Sequence, residues 1–339
     1  MRLQRFDKNA LVYDPYPSLL PGKVKYKGVI VTVCVAAMCA GNILLGASDR
    51  MLTAGDVEFE PESPKIYNPT NSIVVMVAGE SSLQMEIMYR VYRWAAEQIK
   101  EKPQDWVPVG ALAREYHRTY QSIKSEYAEA RVLGPLALTL DSFIKRQKEM
   151  ADSIVKDMTS AIVNFEMPGI EAIITGIDTT GAHIYVVTNS EIACRDAIGF
   201  AAIGVGYWHA NSQFMFAGHN RVRPLPETLL LTYAAKKRAE VAPGVGVGTD
   251  MFTMGPELGS YSTILPGVIE DVDKIYKGTR KRSEASVKKA NAEVNKYVEQ
   301  LSKAAAAQEQ RTTSPKPTTD KANGKEAPGE TNSGAGKPN

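Results

Sequence analysis

The chain is poor in the residues that build metal centres and disulfide frameworks. Its 339 residues include three cysteines and four histidines. Cys34, Cys39 and Cys194 cannot all pair, and they show no zinc-type spacing. This usage fits a reducing cytoplasm better than an oxidising exterior, so a cytoplasmic location is expected. Cys34 and Cys39 lie inside an apolar run, where a free thiol behaves as a small hydrophobe. His117, His183, His209 and His219 are scattered, and none sits at the spacing of a zinc-binding helix, so no metal and no cofactor is expected. An excess of charge of one sign is also missing. Lys and Arg number 40 against 38 Asp and Glu, a net of +2, which gives no electrostatic footprint for nucleic acid. The Gly-x-Gly spacing of "GVGVGTDMFTM" is followed by neither the Lys-Ser/Thr of a phosphate loop nor the fingerprint of a dinucleotide site.

One long uncharged run is present, in "GVIVTVCVAAMCAGNILLGASDR", residues 28–50. Lys23, Lys25 and Lys27 precede it, and a basic flank before about twenty uncharged residues is the pattern of a signal sequence or anchor. Asn42 in mid-run would sit unpaired in hydrocarbon, which argues against a membrane span. Val29, Ile30, Val31, Val33 and Val35 favour a strand buried on both faces, and Gly41-Asn42 is turn chemistry. The run therefore reads as a β-hairpin.

A polar loop, "TAGDVEFEPESP", follows, then "KIY" and a strand from Ile73 to Ala78 that ends at Gly79. Leu83, Ile87, Val91, Trp94 and Ile99 recur at helical spacing, so residues 81–100 form an amphipathic helix. Pro103 and Pro108 punctuate the chain before a second helix beginning at "VGALAREY", and helical pattern continues as an insertion near residues 128–165. "IEAIITGID" and "HIYVVTN", joined by Thr-Thr-Gly, form a further hairpin. "IGFAAIGVG" is a buried strand that runs into a helix from about Tyr207, and Pro224 and Pro226 open another. "GVGVGTDMFTM" then leads into one more strand.

From Ser283 to Ala304, Val287, Ala290, Val294, Tyr297, Leu301 and Ala304 recur at intervals of three and four. That stripe is either a coiled-coil seam or a face that docks on its own domain. Beyond Gln310 no aromatic or large aliphatic residue occurs, the composition of a disordered tail. The expected organisation is a leader over 1–27, a main domain over 28–257, a helical extension over 258–307 and a tail over 308–339. The fold class is α+β, with two antiparallel sheets packed together and helices outside.

The order of these stretches resembles the proteasome β-subunit family of N-terminal-nucleophile hydrolases, closest to its bacterial ancestral β-subunit group. "TVCVA", the turn, "LLGASDR", "TAGD", "SPKIY" and "VVMVAGE" occur in the family's order. "VGALAREY", "ITGIDTTGAHIYVV", "AAIGVG" and "VGVGTDMF" continue it, so the resemblance covers about residues 29–255. It implies a four-layer αββα sandwich and a homo-oligomer, as a ring or a stack.

It also implies a site. Thr32 corresponds to the nucleophile, with its own α-amine as base once the preceding chain is removed. Lys65 corresponds to the lysine that tunes the pair, Asp49 to the carboxylate that orients it, and Gly79 to the glycine whose N–H serves an oxyanion. The substrate would be a peptide or protein. Several positions depart from the family. Thr32 to Asp49 is one residue longer than the family interval, so strict register puts Val33 at the nucleophile position. Val31 stands where self-processing relatives usually carry glycine, Val205 replaces a serine, and Gly244 falls near a usual aspartate. Two functions follow: a processed threonine peptidase or amidase, or an inactive subunit of the same fold that keeps its N-terminal extension.

Overall fold

The computed structural model describes residues 32–54, 57–61, 65–102 and 105–313. Two units are distinguished, one ending at Lys277 and one beginning at Gly278.

Within the uncharged run, β1 (Cys34–Cys39) and β2 (Ile43–Ser48) form a hairpin, while Val29, Ile30 and Val31 lie outside the described residues. Register is unbroken from Cys34↔Ser48 to Cys39↔Ile43. The turn is Ala40-Gly41-Asn42, with Gly41 at φ 80° and Asn42 at φ 57°, the left-handed region that Gly and Asn enter most readily. A two-stranded ribbon of β3 (Leu52–Ala54) and β4 (Val57–Phe59) follows. Then come β5 (Ile66–Thr70), β6 (Ile73–Gly79), α1 (Ser81–Glu101) and α2 (Val109–Ala128). After the insertion, the chain forms β7 (Ile170–Asp178), β8 (Gly181–Thr188), β9 (Ile192–Cys194) and β10 (Phe200–Ile203).

Two five-stranded sheets result, with strand orders β5-β6-β7-β8-β9 and β10-β1-β2-β11-β12. The last two strands of the second sheet are β11 (Asp250–Met254) and β12 (Tyr261–Thr263). Every pairing is antiparallel.

Side-chain alternation explains why the run carries no charge. Cys34, Ala36 and Met38 of β1 face Val74, Met76, Ile173 and Ile184 of the other sheet. Val33, Val35 and Ala37 point the opposite way, onto Phe214, Leu231 and Ala235. Those last residues lie on two helices, one over Tyr207–Phe216 and one over Leu225–Ala239. On the far side, Val75, Val77 and Ile174 pack on Ile87, Val91, Leu112 and Tyr116 of α1 and α2. Helices therefore cover both outer faces of two apposed sheets, and both faces of β1 are buried. Each fully buried branched aliphatic side chain contributes about 1.5–3 kcal/mol to this packing.

Where 128–165 was expected to be a helical insertion, the helix is broken into pieces. A π turn, Glu129–Leu133, ends α2 and a 3-10 turn follows at Gly134–Leu136. Next come α3 (Leu140–Arg146), a 3-10 turn at Gln147–Glu149, and α4 (Asp152–Val163). Gly134-Pro135 and a left-handed Ala137 interrupt the helix, and Thr139 restarts it through a capping box with Ser142. The expected polar loop after Thr53 contains the β3–β4 ribbon, while β9 and β12 are edge strands of three residues, too short to carry a period.

The two helices on the second sheet's outer face are α5 (Tyr207–Phe216) and α6 (Leu225–Ala239), and the last is α7 (Pro266–Thr313). Within the first unit, Val272 of α7 packs with Tyr233 and Met251. Within the second, Val287, Val294, Tyr297 and Leu301 are exposed. The leader over 1–27 and the tail beyond Thr313 lie outside the described residues. Among the described residues no helix is long and apolar enough to cross a membrane.

Candidate functional site

Thr32 lies two residues before β1 and Asp49 directly follows β2, so antiparallel pairing of the hairpin brings them to one end of their sheet. Asp49 N–H donates to the Val33 carbonyl at 3.1 Å, and Val33 N–H donates to Asp49 Oδ1 at 3.0 Å. Lys65 directly precedes β5 in the other sheet, and its carbonyl accepts from Val77 N–H at 3.3 Å. Its side chain bridges the two sheets. Lys65 Nζ donates to Thr32 Oγ1 and, at 3.0 Å, to Asp49 Oδ1. Thr32 is 2% exposed, Asp49 0% and Lys65 5%.

A buried carboxylate is tolerated only when its acceptor sites are filled. Asp49 accepts from four donors. Val33 N–H and Lys65 Nζ reach Oδ1, while Met51 N–H at 3.1 Å and Gly246 N–H at 2.9 Å reach Oδ2. Gly246 belongs to the "GVGVG" segment. Its amide does serve an anion, but the anion is the protein's own carboxylate.

The Thr32 backbone is held by the turn that follows β10. Its carbonyl accepts from Gly206 N–H at 3.4 Å. Gly204 stands against it at φ +83°, and a Cβ there would run into the Thr32 carbonyl oxygen. Gly204 N–H in turn donates to Glu171 Oε2 at 2.6 Å. Val33 points to the helical side of the sheet, so Thr32 is the residue that meets Lys65. The β1–β2 pairing between Thr32 and Asp49 contains no bulge.

Cys34, a nearby thiol, is not poised to react. Burial pushes its ionisation well above the ordinary range, and its Sγ–H donates to the Val77 carbonyl at 3.6 Å. Gly79 ends β6 at φ +124°, where a Cβ would lie 2.6 Å from the Gly169 carbonyl. The hydrogen bonds that join Thr32, Lys65 and Asp49 do not include Gly79. Among the described residues no group of His, Cys, Asp and Glu has the arrangement of a metal site. A surface groove of about 530 Å³ between α1 and α2, lined by Arg90, Arg93, Trp94 and Arg118 among others, shares no residue with the cluster.

Chemically, the arrangement places a hydroxyl against a lysine amine that a carboxylate holds in place. A positive charge beside a hydroxyl favours its deprotonation, and a base within reach completes an activated nucleophile. Of the four residues the resemblance implied, the structure joins Thr32, Asp49 and Lys65 by hydrogen bonds. Sequence reasoning missed Gly246, Met51 and the Val33 amide as donors to Asp49, and Gly204 and Glu171 behind Thr32. The glycine spacing was the one signal available for Gly246, and it gives no hint of which anion the amide serves. No family model matches this chain, and no curated protein matches it.

Proposed function

We propose that the chain is an N-terminal threonine hydrolase of the proteasome-like N-terminal-nucleophile class, a peptidase or amidase acting through Thr32 once the preceding residues are removed. One observation carries the reading: Lys65 Nζ is bonded both to Thr32 Oγ1 and to Asp49 Oδ1. In this reaction the freed α-amine of Thr32 takes the hydroxyl proton as Oγ1 attacks the substrate carbonyl carbon. Gly79 N–H would receive the oxyanion that forms. The leaving amine takes the proton back from the α-ammonium, which leaves an ester on Oγ1. Water then attacks that ester with the same amine as base, releasing the acid and restoring the hydroxyl. The same family reading carries a homo-oligomeric ring or stack.

Intact mass or N-terminal sequencing of protein purified from its native host tests this. A mature chain beginning at Thr32 is expected, and a chain that keeps its leader overturns it. Thr32→Ala then separates self-cleavage, which it abolishes, from cleavage by an outside protease, which it leaves intact.

A second reading, an inactive subunit of the same fold, is favoured by two observations. Thr32 is only 2% exposed. The residue before it, Val31, is β-branched and would crowd the bond to be cut. On that reading the Asp49–Lys65 pair joins the sheets and the leader is found intact.

A further inference from the structure

We propose that Lys236 of α6 is a positioning residue for the Thr32–Lys65–Asp49 cluster, acting through the glycine loop 244–248. The proposal rests on the reading of Thr32 as the nucleophile. Lys236 is 0% exposed, and a lysine is almost never so deeply buried unless its protons are satisfied. Its Nζ donates to Glu240 Oε1 at 2.6 Å, to the Gly246 carbonyl at 2.9 Å and to the Val247 carbonyl at 2.9 Å. An ammonium has three protons, and all three are used. Only one acceptor is charged, and it lies one helical turn away. The other two belong to the loop.

Those two carbonyls matter because of what the opposite side of the loop does. Gly246 N–H is a donor to Asp49 Oδ2, and Gly248 N–H donates to Glu60 at 3.2 Å. Gly246 is thus held at its carbonyl by Lys236 and at its amide by Asp49. Three of the five loop residues are glycine, so the backbone has little stiffness of its own. A donor that binds two successive carbonyls restricts it. Burial pulls the Lys236 amine below its ordinary range, and the bond to Glu240 opposes that. An apolar side chain would fill the same space at lower desolvation cost.

The test compares Lys236→Met with Lys237→Met in the chain as the host produces it. Lys237 bonds the same Glu240 but no loop carbonyl, so it controls for loss of that ion pair. Two quantities are read below the melting temperatures: hydrogen exchange of the 244–248 amides, and acylation of Thr32 by a β-lactone probe followed by intact mass across pH. Lys236→Met is expected to lose exchange protection in the loop while α6 stays protected. Acylation of Thr32 is expected to slow by about ten- to a hundredfold with an altered pH dependence, the scale of a misplaced reacting group. Lys237→Met is expected to change neither.

Loop protection or acylation in Lys236→Met equal to that of Lys237→Met overturns the proposal. If the unmutated protein is not acylated at Thr32, the hydrolase reading falls. Loop exchange then decides whether Lys236 still positions the Asp49–Lys65 pair. If Lys236→Met does not fold, Glu240→Gln, which weakens the anchoring of the ammonium, must move both readouts in the same directions.

Discussion

Lys65 Nζ lies 3.0 Å from Asp49 Oδ1 between the two sheets, with side chains 6% and 0% exposed. Lys65 has Asp49 as its counter-charge, and Asp49 is held by Lys65 together with three backbone amides. Truncating one partner is therefore worse than removing both. Asp49→Ala leaves the ammonium buried without its counter-charge and is expected to cost about 3–5 kcal/mol of stability. The double variant Asp49→Ala/Lys65→Met should recover part of that loss. Denaturant midpoints of the two singles and the double measure the coupling, and additive losses would show that the pair does not act as a unit.

Gly204 offers a more local test of how Thr32 is held. With φ at +83° and the Thr32 carbonyl oxygen where a Cβ would go, Gly204→Ala meets both backbone strain and a clash. A loss of at least about 1–3 kcal/mol is expected. Because the clash falls on Thr32 itself, acylation of Thr32 should fall in variants that remain folded. A Gly41→Ala control meets no neighbour within 4 Å, so it carries only the strain of its turn conformation. Equal effects from the two variants would remove the special role of the Gly204 approach.

His219 predicts a pH dependence. Its ring packs edge-on to Phe200 and Phe214 and is 9% exposed. Burial lowers its pKa below the ordinary 6.5 and, with the Arg223 charge, outweighs the backbone hydrogen bonds at Gly199 and Met38 that favour the charged ring. The folded state then binds fewer protons than the unfolded chain, so stability rises with pH through this window. Stability should be level above about pH 6.5 and fall as the pH drops from there towards the folded value. Urea midpoints between pH 5 and 8 should show the decline, and His219→Leu should flatten it. An unchanged slope in that variant would assign the decline to other groups.

Asp178 supports the start of α2. Pro108, at the N-cap of α2, makes no side-chain cap bond, and Asp178 Oδ2 accepts from Val109 N–H at 3.0 Å. Its other oxygen accepts from the Thr180 hydroxyl at 2.6 Å and contacts His183 Nε2 at 3.2 Å. Burial opposes the charge, yet the bonds from Thr180 and Val109 outweigh it and hold the carboxyl below its usual range. Asp178→Ala should cost about 1–2 kcal/mol, the scale of a lost cap. Thermal melts of this variant and of Thr180→Ala should rank the cap above the turn bond. The reverse order would show that the β7–β8 turn carries most of the energy.

Much of the architecture was legible in the residues themselves. β-branched and small apolar residues over 33–48, broken by Gly41-Asn42, allow little besides a buried hairpin, because both properties act locally. The spacing of Leu83, Ile87 and Val91 fixed a helix for the same reason, while over 128–165 the pattern showed helix but not its breaks at Gly134-Pro135 and Ala137, which periodicity alone carries through. The resemblance, not the residue types, marked Thr32, Asp49 and Lys65 as candidates. Only the tertiary structure decided which of them touch and what holds them. Whether Thr32 or Val33 faces Lys65 depends on how two sheets meet, and one step along a strand reverses the face. The partnership of Gly246 with Asp49, 197 residues apart, depends on a loop brought back by α6, and backbone amides carry no trace of their acceptors in the sequence.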